Sequence, residues 1–458
     1  MSVSLVDLAE LVGLPHPTDP LTAPRLPEPL APPQGPTVWH INTTAHGGGV
    51  AELLRRSVPS HNEAGVPTKW LTLGGDAAFF AVTKRLHHRL HGYRDPHGAL
   101  GADERRIYAD ATGRWGGEVL AHVAPGDLCV LHDPQTIGLA PALAAAGLKV
   151  VWRCHIGSTD HGSPEVRETW EFLRPYLDAP LRCVFSVQGY APPGLRPGQC
   201  VVIPPSIDPT AAKNRALTPD EVTSALRAIG LEGGGTAAGA ARGAGATVLH
   251  DAPLPPGAEV VVQVSRWDPL KDMAGVLAAF AERIAPRRPA AHLVLAGPEP
   301  LDIPDDPEGA EIFAGVHGAW AALPAPVRAR VHLVKLTLKD TEGNALLVNA
   351  LQRRADVIAQ KSLREGFGLT VTEAMWKGAA IVASRVGGIP AQLRHEREGL
   401  LVADAHDREE FAAHVLRLLA NEGLRERLGA AARGRCEDLF LAGRELADHY
   451  RLYRELRT

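Results

Sequence analysis

Short β-branched runs and longer stretches of helical spacing alternate along most of this chain. From Thr37 onward the short runs fall near Val38–Ile41, Lys69–Leu73, Leu128–Leu131, Val150–Arg153, Val184–Ser186 and Val201–Ile203. Each is too brief for a helix and is followed by a turn, so strands buried on both faces are expected. The intervening periods, notably Val50–Ala64 and Phe79–His91, read as helices. A second alternation begins at Glu259, with strands expected at Val260–Val264, Leu293–Ala296, Val331–Lys335, Val357–Ala359, Ile381–Ala383 and Leu400–Val402. Strands alternating with helices predict parallel sheets under helical layers. The fold class is therefore α/β, with two doubly wound Rossmann-like domains facing each other across a cleft.

The same pattern places the boundaries. A proline-rich N-terminal arm covers 1–36, a first domain 37–210, and a second 211–430. Residues 431–458 read as C-terminal helices packing back across the domains, with Arg and Glu on their outer faces. The segment Ala228–Thr247, AIGLEGGGTAAGAARGAGAT, is so rich in Gly and Ala that a mobile surface insertion is expected.

Composition narrows the partners. At 458 residues the chain suits two domains rather than one core, and 45% hydrophobic with 22% charged residues is ordinary for a soluble protein. A net charge of −4 gives no electrostatic case for nucleic acid or an anionic membrane. No run approaches the ~20 apolar residues of a membrane span, and the N-terminus lacks the basic and apolar regions of a signal peptide. The five cysteines are odd in number and mostly sit in apolar runs, which favours reduced core residues and a cytoplasmic protein.

The chemistry gathers at strand ends. QKSLREGFGLTVTEAMWKG, residues 360–378, sets Glu365 and Glu373 eight positions apart around Gly366-Phe367-Gly368. A helix starting near Leu369 would put Glu365 on the preceding loop and Glu373 a turn inside, facing the same cleft. The glycines permit close backbone approach, and the first helical N–H groups suit a phosphate. Carboxylates that grip hydroxyls beside a phosphate site fit a sugar nucleotide; the plain alternative is two unrelated surface glutamates. After the second domain's first strand, QVSRWDPLKD brings Arg266 and Lys271 to a turn, where they can neutralise a diphosphate leaving group. No Asp-x-Asp stands at a strand end, so metal-free stabilisation is expected. Gly47, Gly48 and Gly49 follow the first strand without the G-x-G-x-x-G spacing of a nicotinamide site. VLHDPQ offers Asp133 and Gln135 to an acceptor, and VVWRCHIGS offers His155 to the donor sugar or the reacting hydroxyl. His87 and His91 have metal-ligand spacing but lie on an Arg-rich helix without a carboxylate, so a solvated face is expected there.

With these residues in view, the chain resembles the retaining glycosyltransferases of the two-Rossmann (GT-B) type, and among them the trehalose glycosyltransferring synthases. HINTTAHGGGVAELL, FFAVTKRLHHRLHG, VLHDPQ, WRCHI, WEFLRPYL, PPSIDP, VSRWDPLKD and QKSLREGFGLTVTEAMWKG carry the resemblance, in that family's order, from about Val38 to Tyr453. It implies reversible transfer of glucose from UDP-, ADP- or GDP-glucose to free glucose, giving α,α-trehalose with retention, no bound cofactor and no metal. Under it Glu365 binds donor-glucose hydroxyls and Glu373 the ribose. Arg266, Lys271 and the N–H groups of Gly366, Phe367, Gly368 and Leu369 hold the diphosphate, and Gly48 and Gly49 admit its phosphate end. His155 lines the sugar side, Asp133, Gln135 and His155 hold the acceptor, and Arg266, Lys271, Glu365 and His155 form the catalytic set. The resemblance also implies a homodimer. Gly157 departs from the family, which has an acidic residue there; any acidic contact would have to come from Asp160. The competing expectations are a retaining trehalose phosphorylase and a non-catalytic sugar-nucleotide-binding protein.

Overall fold

The computed structural model describes residues 2–7, 36–45, 49–233, 239–243, 245–302 and 307–457. The chain divides into two compact units, Met1–Pro205 together with Ala442–Thr458, and Ser206–Leu441. The helix Glu422–Leu439 thus belongs to the second unit and the last helix, Ala442–Arg457, to the first.

Among the described residues the first unit is built on seven strands: β1 (Val3–Leu5), β2 (Val38–Asn42), β3 (Thr68–Leu73), β4 (Leu128–His132), β5 (Lys149–Cys154), β6 (Arg182–Phe185) and β7 (Cys200–Val202). They lie in the order β1-β3-β2-β4-β5-β6-β7. All neighbours are parallel except β1, which runs antiparallel along β3 with Val3 opposite Leu73. The arm expected over 1–36 therefore supplies an edge strand, while 8–35 lie outside the described residues. Successive side chains of a strand point to opposite faces. Trp39, Ile41, Leu131 and Trp152 accordingly join Phe79, Leu86 and Trp115 of the helices Ala77–Leu90 and Ala102–Leu120 in one layer. Val38, Leu128, Val130 and Val151 meet Tyr450 and Tyr453 of the last helix on the other. Burying each large side chain contributes ~1.5–3 kcal/mol, which is why both faces of these strands read as continuous apolar runs.

The second unit carries β8 (Gly239–Gly243), β9 (Ala246–His250), β10 (Glu259–Val264), β11 (Ala291–Pro298), β12 (Val331–Leu336), β13 (Val357–Gln360), β14 (Ile381–Ser384) and β15 (Leu400–Val402). Their order is β15-β14-β13-β10-β11-β12-β9-β8. The segment Ala228–Thr247, expected as an insertion, is described in part. Residues 239–243 and 246–250 form an antiparallel hairpin, and β9 adds to the edge of β12 through Leu333↔Leu249 to Leu336↔Ala246. Residues 234–238 and 244 lie outside the described residues. Gly and Ala give β8 no side-chain signal, yet its backbone groups pair with β9 like any others.

Both sheets are doubly wound. The chain leaves β2 for β3 on one side and returns to β4 on the other; it leaves β10 for β11 and returns to β13. Such reversals are where open α/β sheets bind ligands, beyond the strands' carboxyl ends. Among the described residues no helix is long and apolar enough to cross a membrane.

Candidate functional site

In the second unit the residues singled out above converge on the carboxyl ends of β10 and β13. After β10 the turn Pro269–Lys271 is capped by Asp268, whose Oδ1 accepts from the Leu270 N–H at 2.8 Å. Trp267, buried beneath it, donates to the Pro298 carbonyl at 2.7 Å and anchors the turn to β11. The Lys271 carbonyl accepts from Gln263 Nε2 at 2.7 Å. Asp272, left-handed at φ 49, is held by the buried Lys361 ammonium, which also donates to the Ala405 carbonyl at 2.8 Å. The backbone of Lys271 is thereby fixed on both sides.

Its ammonium reaches Glu365 Oε1 at 2.6 Å. Glu365 Oε2 accepts from Ser362 Oγ at 3.0 Å and from Gln360 Nε2 at 3.3 Å, so the carboxylate is clamped beside the cation. Arg266 is 59% exposed at its side chain and lies 2.9 Å from Asp268 Oδ2. The helix Leu369–Trp376 begins after Gly368, left-handed at φ 89, where glycine carries little strain. A second glycine pair forms the floor of this loop. The Gly388 N–H donates to the Gly366 carbonyl at 2.7 Å, and a Cβ on Gly387 would fall 1.8 Å from the Glu365 carbonyl oxygen. Gln392 donates to the Phe367 carbonyl and accepts from Thr372 Oγ1 at 2.7 Å. The first N–H groups of a helix have no acceptor within it.

Glu373 lies inside that helix, as expected, but its cation is a different one. Its Oε1 is 3.5 Å from Lys213 Nζ, while Oε2 is buried without a hydrogen-bond partner among the described residues. One turn on, burial lowers the Lys377 ammonium to a pKa of about 7, against the attraction of Glu373. Lys377 donates to Asn214 Oδ1 at 3.2 Å, and the Trp376 indole donates to the Asn214 carbonyl at 3.0 Å, which ties the Lys213–Asn214 loop to the helix.

In the first unit Asp133 and His155 meet. Asp133 stands in the left-handed region at φ 61, just past β4, and its Oδ1 accepts from the His155 N–H at 2.7 Å. Loss of hydration raises the Asp133 carboxyl to a pKa of about 7, opposed by that N–H and by the Arg153 charge. Gln135 is half-buried and its Oε1 has no partner among the described residues. Gly49 opens the helix Gly49–Glu63 with open space where a Cβ would stand; Gly47 and Gly48 lie outside the described residues. Gly157 has a physical reason. A Cβ there would lie 2.6 Å from Cγ of the buried Tyr190 ring, so no acidic side chain fits. Asp160 instead accepts from the Gly162 N–H at 3.2 Å within its own exposed turn. His91 is buried and His87 half-buried rather than on the solvated face expected; their rings pack edge to face at 4.9 Å, and among the described residues no group of three His, Cys, Asp or Glu is set to hold a metal.

Sequence reasoning missed Gln360, Ser362, Lys361, Lys213, Gly387, Gly388 and Gln392. Ser362 and Lys361 sit inside the segment already singled out, and the Gly387-Gly388 pair after β14 was a visible turn signal. It also missed His40 and His132, which hydrogen-bond in series with His155 at 2.9 and 3.0 Å. Their signal was parity: His40, His132 and Arg153 alternate with the apolar residues of adjacent parallel strands.

Known proteins give this geometry its family. Residues 40–192 match the family model described as trehalose synthase, N-terminal domain, and 342–435 that of glycosyl transferases group 1. A trehalose synthase of Rubrobacter xylanophilus is 33% identical over 430 residues, covering 92% of this chain and 91% of the relative. One of Pyrococcus horikoshii is 32% identical over 410 residues, covering 89% and 87%. In fold, the crystal structure of alpha,alpha-trehalose 6-phosphate synthase from Burkholderia multivorans superposes with a TM-score of 0.66 at 17% identity, over 92% of this chain and 99% of that one. With the relatives matching nearly its whole length and its two sheets wound as in GT-B glycosyltransferases, the chain belongs to the trehalose synthase family.

Proposed function

We propose that this protein transfers glucose, with retention, from a nucleoside-diphosphate-glucose to free glucose and so makes α,α-trehalose. The observation that carries the nucleotide part is Glu373. A buried carboxylate oxygen without a partner costs ~1–3 kcal/mol, and such a deficit is expected where a ligand supplies the missing donor. A ribose has two adjacent hydroxyls to give; inorganic phosphate has none fixed in place. In this reading Arg266, Lys271 and the N–H groups from Gly366 to Leu369 hold the diphosphate, and Glu365 takes donor-glucose hydroxyls. Asp133 and Gln135 hold the acceptor, and His155 contacts the sugar.

None of these carboxylates has the role of a nucleophile. Glu365 is tied to a lysine, a serine and a glutamine, and Asp133 to a backbone N–H. The reading is therefore front-face attack: the acceptor hydroxyl adds to the donor carbon as the C–O bond to the diphosphate breaks, and the departing phosphate oxygen takes the hydroxyl proton. The protein contributes positioning and charge. The test is to incubate the protein with glucose and UDP-, ADP- or GDP-glucose, and separately with trehalose plus phosphate, or with maltose alone. Trehalose is expected only in the nucleotide reactions. Glucose 1-phosphate from trehalose and phosphate, or trehalose from maltose, would overturn the reading. Glu373→Gln should raise KM for the donor about tenfold, the worth of one hydrogen bond to a charged group, and leave KM for glucose unchanged.

A further inference from the structure

Three imidazoles form a hydrogen-bonded series across the middle of the first sheet. His40 lies on β2, His132 ends β4 and His155 follows β5, and these strands are parallel neighbours. His40 and His132 are almost wholly buried, whereas His155 is half-buried. His40 Nδ1 is 2.9 Å from His132 Nε2, and His132 Nδ1 is 3.0 Å from His155 Nε2, with the latter two rings stacked at 5.3 Å.

Burial holds all three well below the usual histidine range, and the nearby Arg153 charge acts in the same direction. Each ring is therefore neutral and has a single N–H to place. Two N···N bonds in series then force every proton to point the same way. If the protons point toward His40, its Nε2 carries an N–H in the dry interior with no acceptor among the described residues, beside the stacked ring of His61, whose own nitrogens have no partners among them either. If they point toward His155, the unpaired atom at the buried end is only a lone pair. Orphaned buried N–H groups are the rarer of the two.

We infer that His132 and His40 are positioning residues that hold His155 as the Nδ1–H tautomer, so that its outward nitrogen is a hydrogen-bond donor and not a base. That Nδ1 takes no hydrogen bond among the described residues and is the ring atom left to a ligand. A donor there suits a sugar hydroxyl or a phosphate oxygen, and it leaves proton removal from the acceptor to another group. The inference rests on the proposed role of His155 for its consequence, but the tautomer belongs to the free protein.

The experiment is a long-range ¹H–¹⁵N spectrum of histidine-labelled protein without ligand near neutral pH, with His155 assigned by its loss in His155→Gln. A protonated Nδ1 and a bare Nε2 on His155 are expected. A protonated Nε2, or a tautomer average, in the wild type overturns the proposal whatever any variant does. His132→Leu should release His155 to an average of tautomers and lower kcat/KM about tenfold, whereas His132→Asn, which can donate and accept, restores most of it. Equal losses in both variants with the His155 signals unchanged would also overturn it. If the wild type forms no trehalose, the activity reading fails while the spectrum still decides the tautomer.

Discussion

Replacing Lys271 with Met tests both the diphosphate clasp and the pair that holds it. Met keeps the length of the side chain and removes its charge. Lys271 Nζ stands 2.6 Å from Glu365 Oε1, with 15% and 8% of the two side chains exposed. In the variant Glu365 keeps Ser362 and Gln360 on Oε2 but loses the Lys271 ammonium. Breaking a buried pair from one side costs ~3–5 kcal/mol. The two remaining hydrogen bonds and partial hydration put this case below that range, at ~2–3 kcal/mol. The kinetic loss is separate. Removing one group aimed at the charge of the leaving group costs ~3 kcal/mol, or ~100-fold in kcat. Adding Glu365→Gln removes the uncompensated charge, so stability in urea should return to within ~1 kcal/mol of the wild type while kcat stays low. Urea unfolding followed by tryptophan fluorescence reads the first effect, and initial rates of trehalose formation the second. A single variant turning over within about threefold of the wild type, or a double variant no more stable than the single, would refute the reasoning.

Three other outcomes follow from the geometry. Arg266→Ala should lower kcat by ~100-fold, yet change stability by under ~0.5 kcal/mol, because its pair with Asp268 is largely solvated; normal turnover would remove Arg266 from the site. Asp133 titrates at about 7, above the ~4 of an unfolded chain. The native state then holds a proton that the unfolded state lacks, so stability falls as pH rises through that window. Asp133→Asn should flatten urea midpoints between about pH 4 and 7; an unchanged slope would refute it. Gly157→Ala should cost ~1–3 kcal/mol, since its Cβ would stand 2.6 Å from the Tyr190 ring, and an unchanged urea midpoint would show that the ring yields.

The two sheets were legible in the sequence because a strand covered on both faces needs an unbroken apolar run, and twelve such runs coincide with β2 to β7 and β10 to β15. The ends of those runs also marked where chemistry could stand, since parallel strands present their carboxyl ends to one edge. β8, made of Gly, Ala and one Arg, left no such trace, because its pairing with β9 uses only backbone groups. Partners were hidden for a different reason. Lys271 and Glu365 are 94 residues apart, and Lys213 reaches Glu373 from a loop 160 residues earlier. Local spacing can say that a carboxylate and a lysine each stand at a strand end, but only the winding order of the strands decides which ends are neighbours. The same holds for the imidazoles: parity put His40 and His132 on one face, and the register of three parallel strands brought their nitrogens and that of His155, just past β5, within bonding distance.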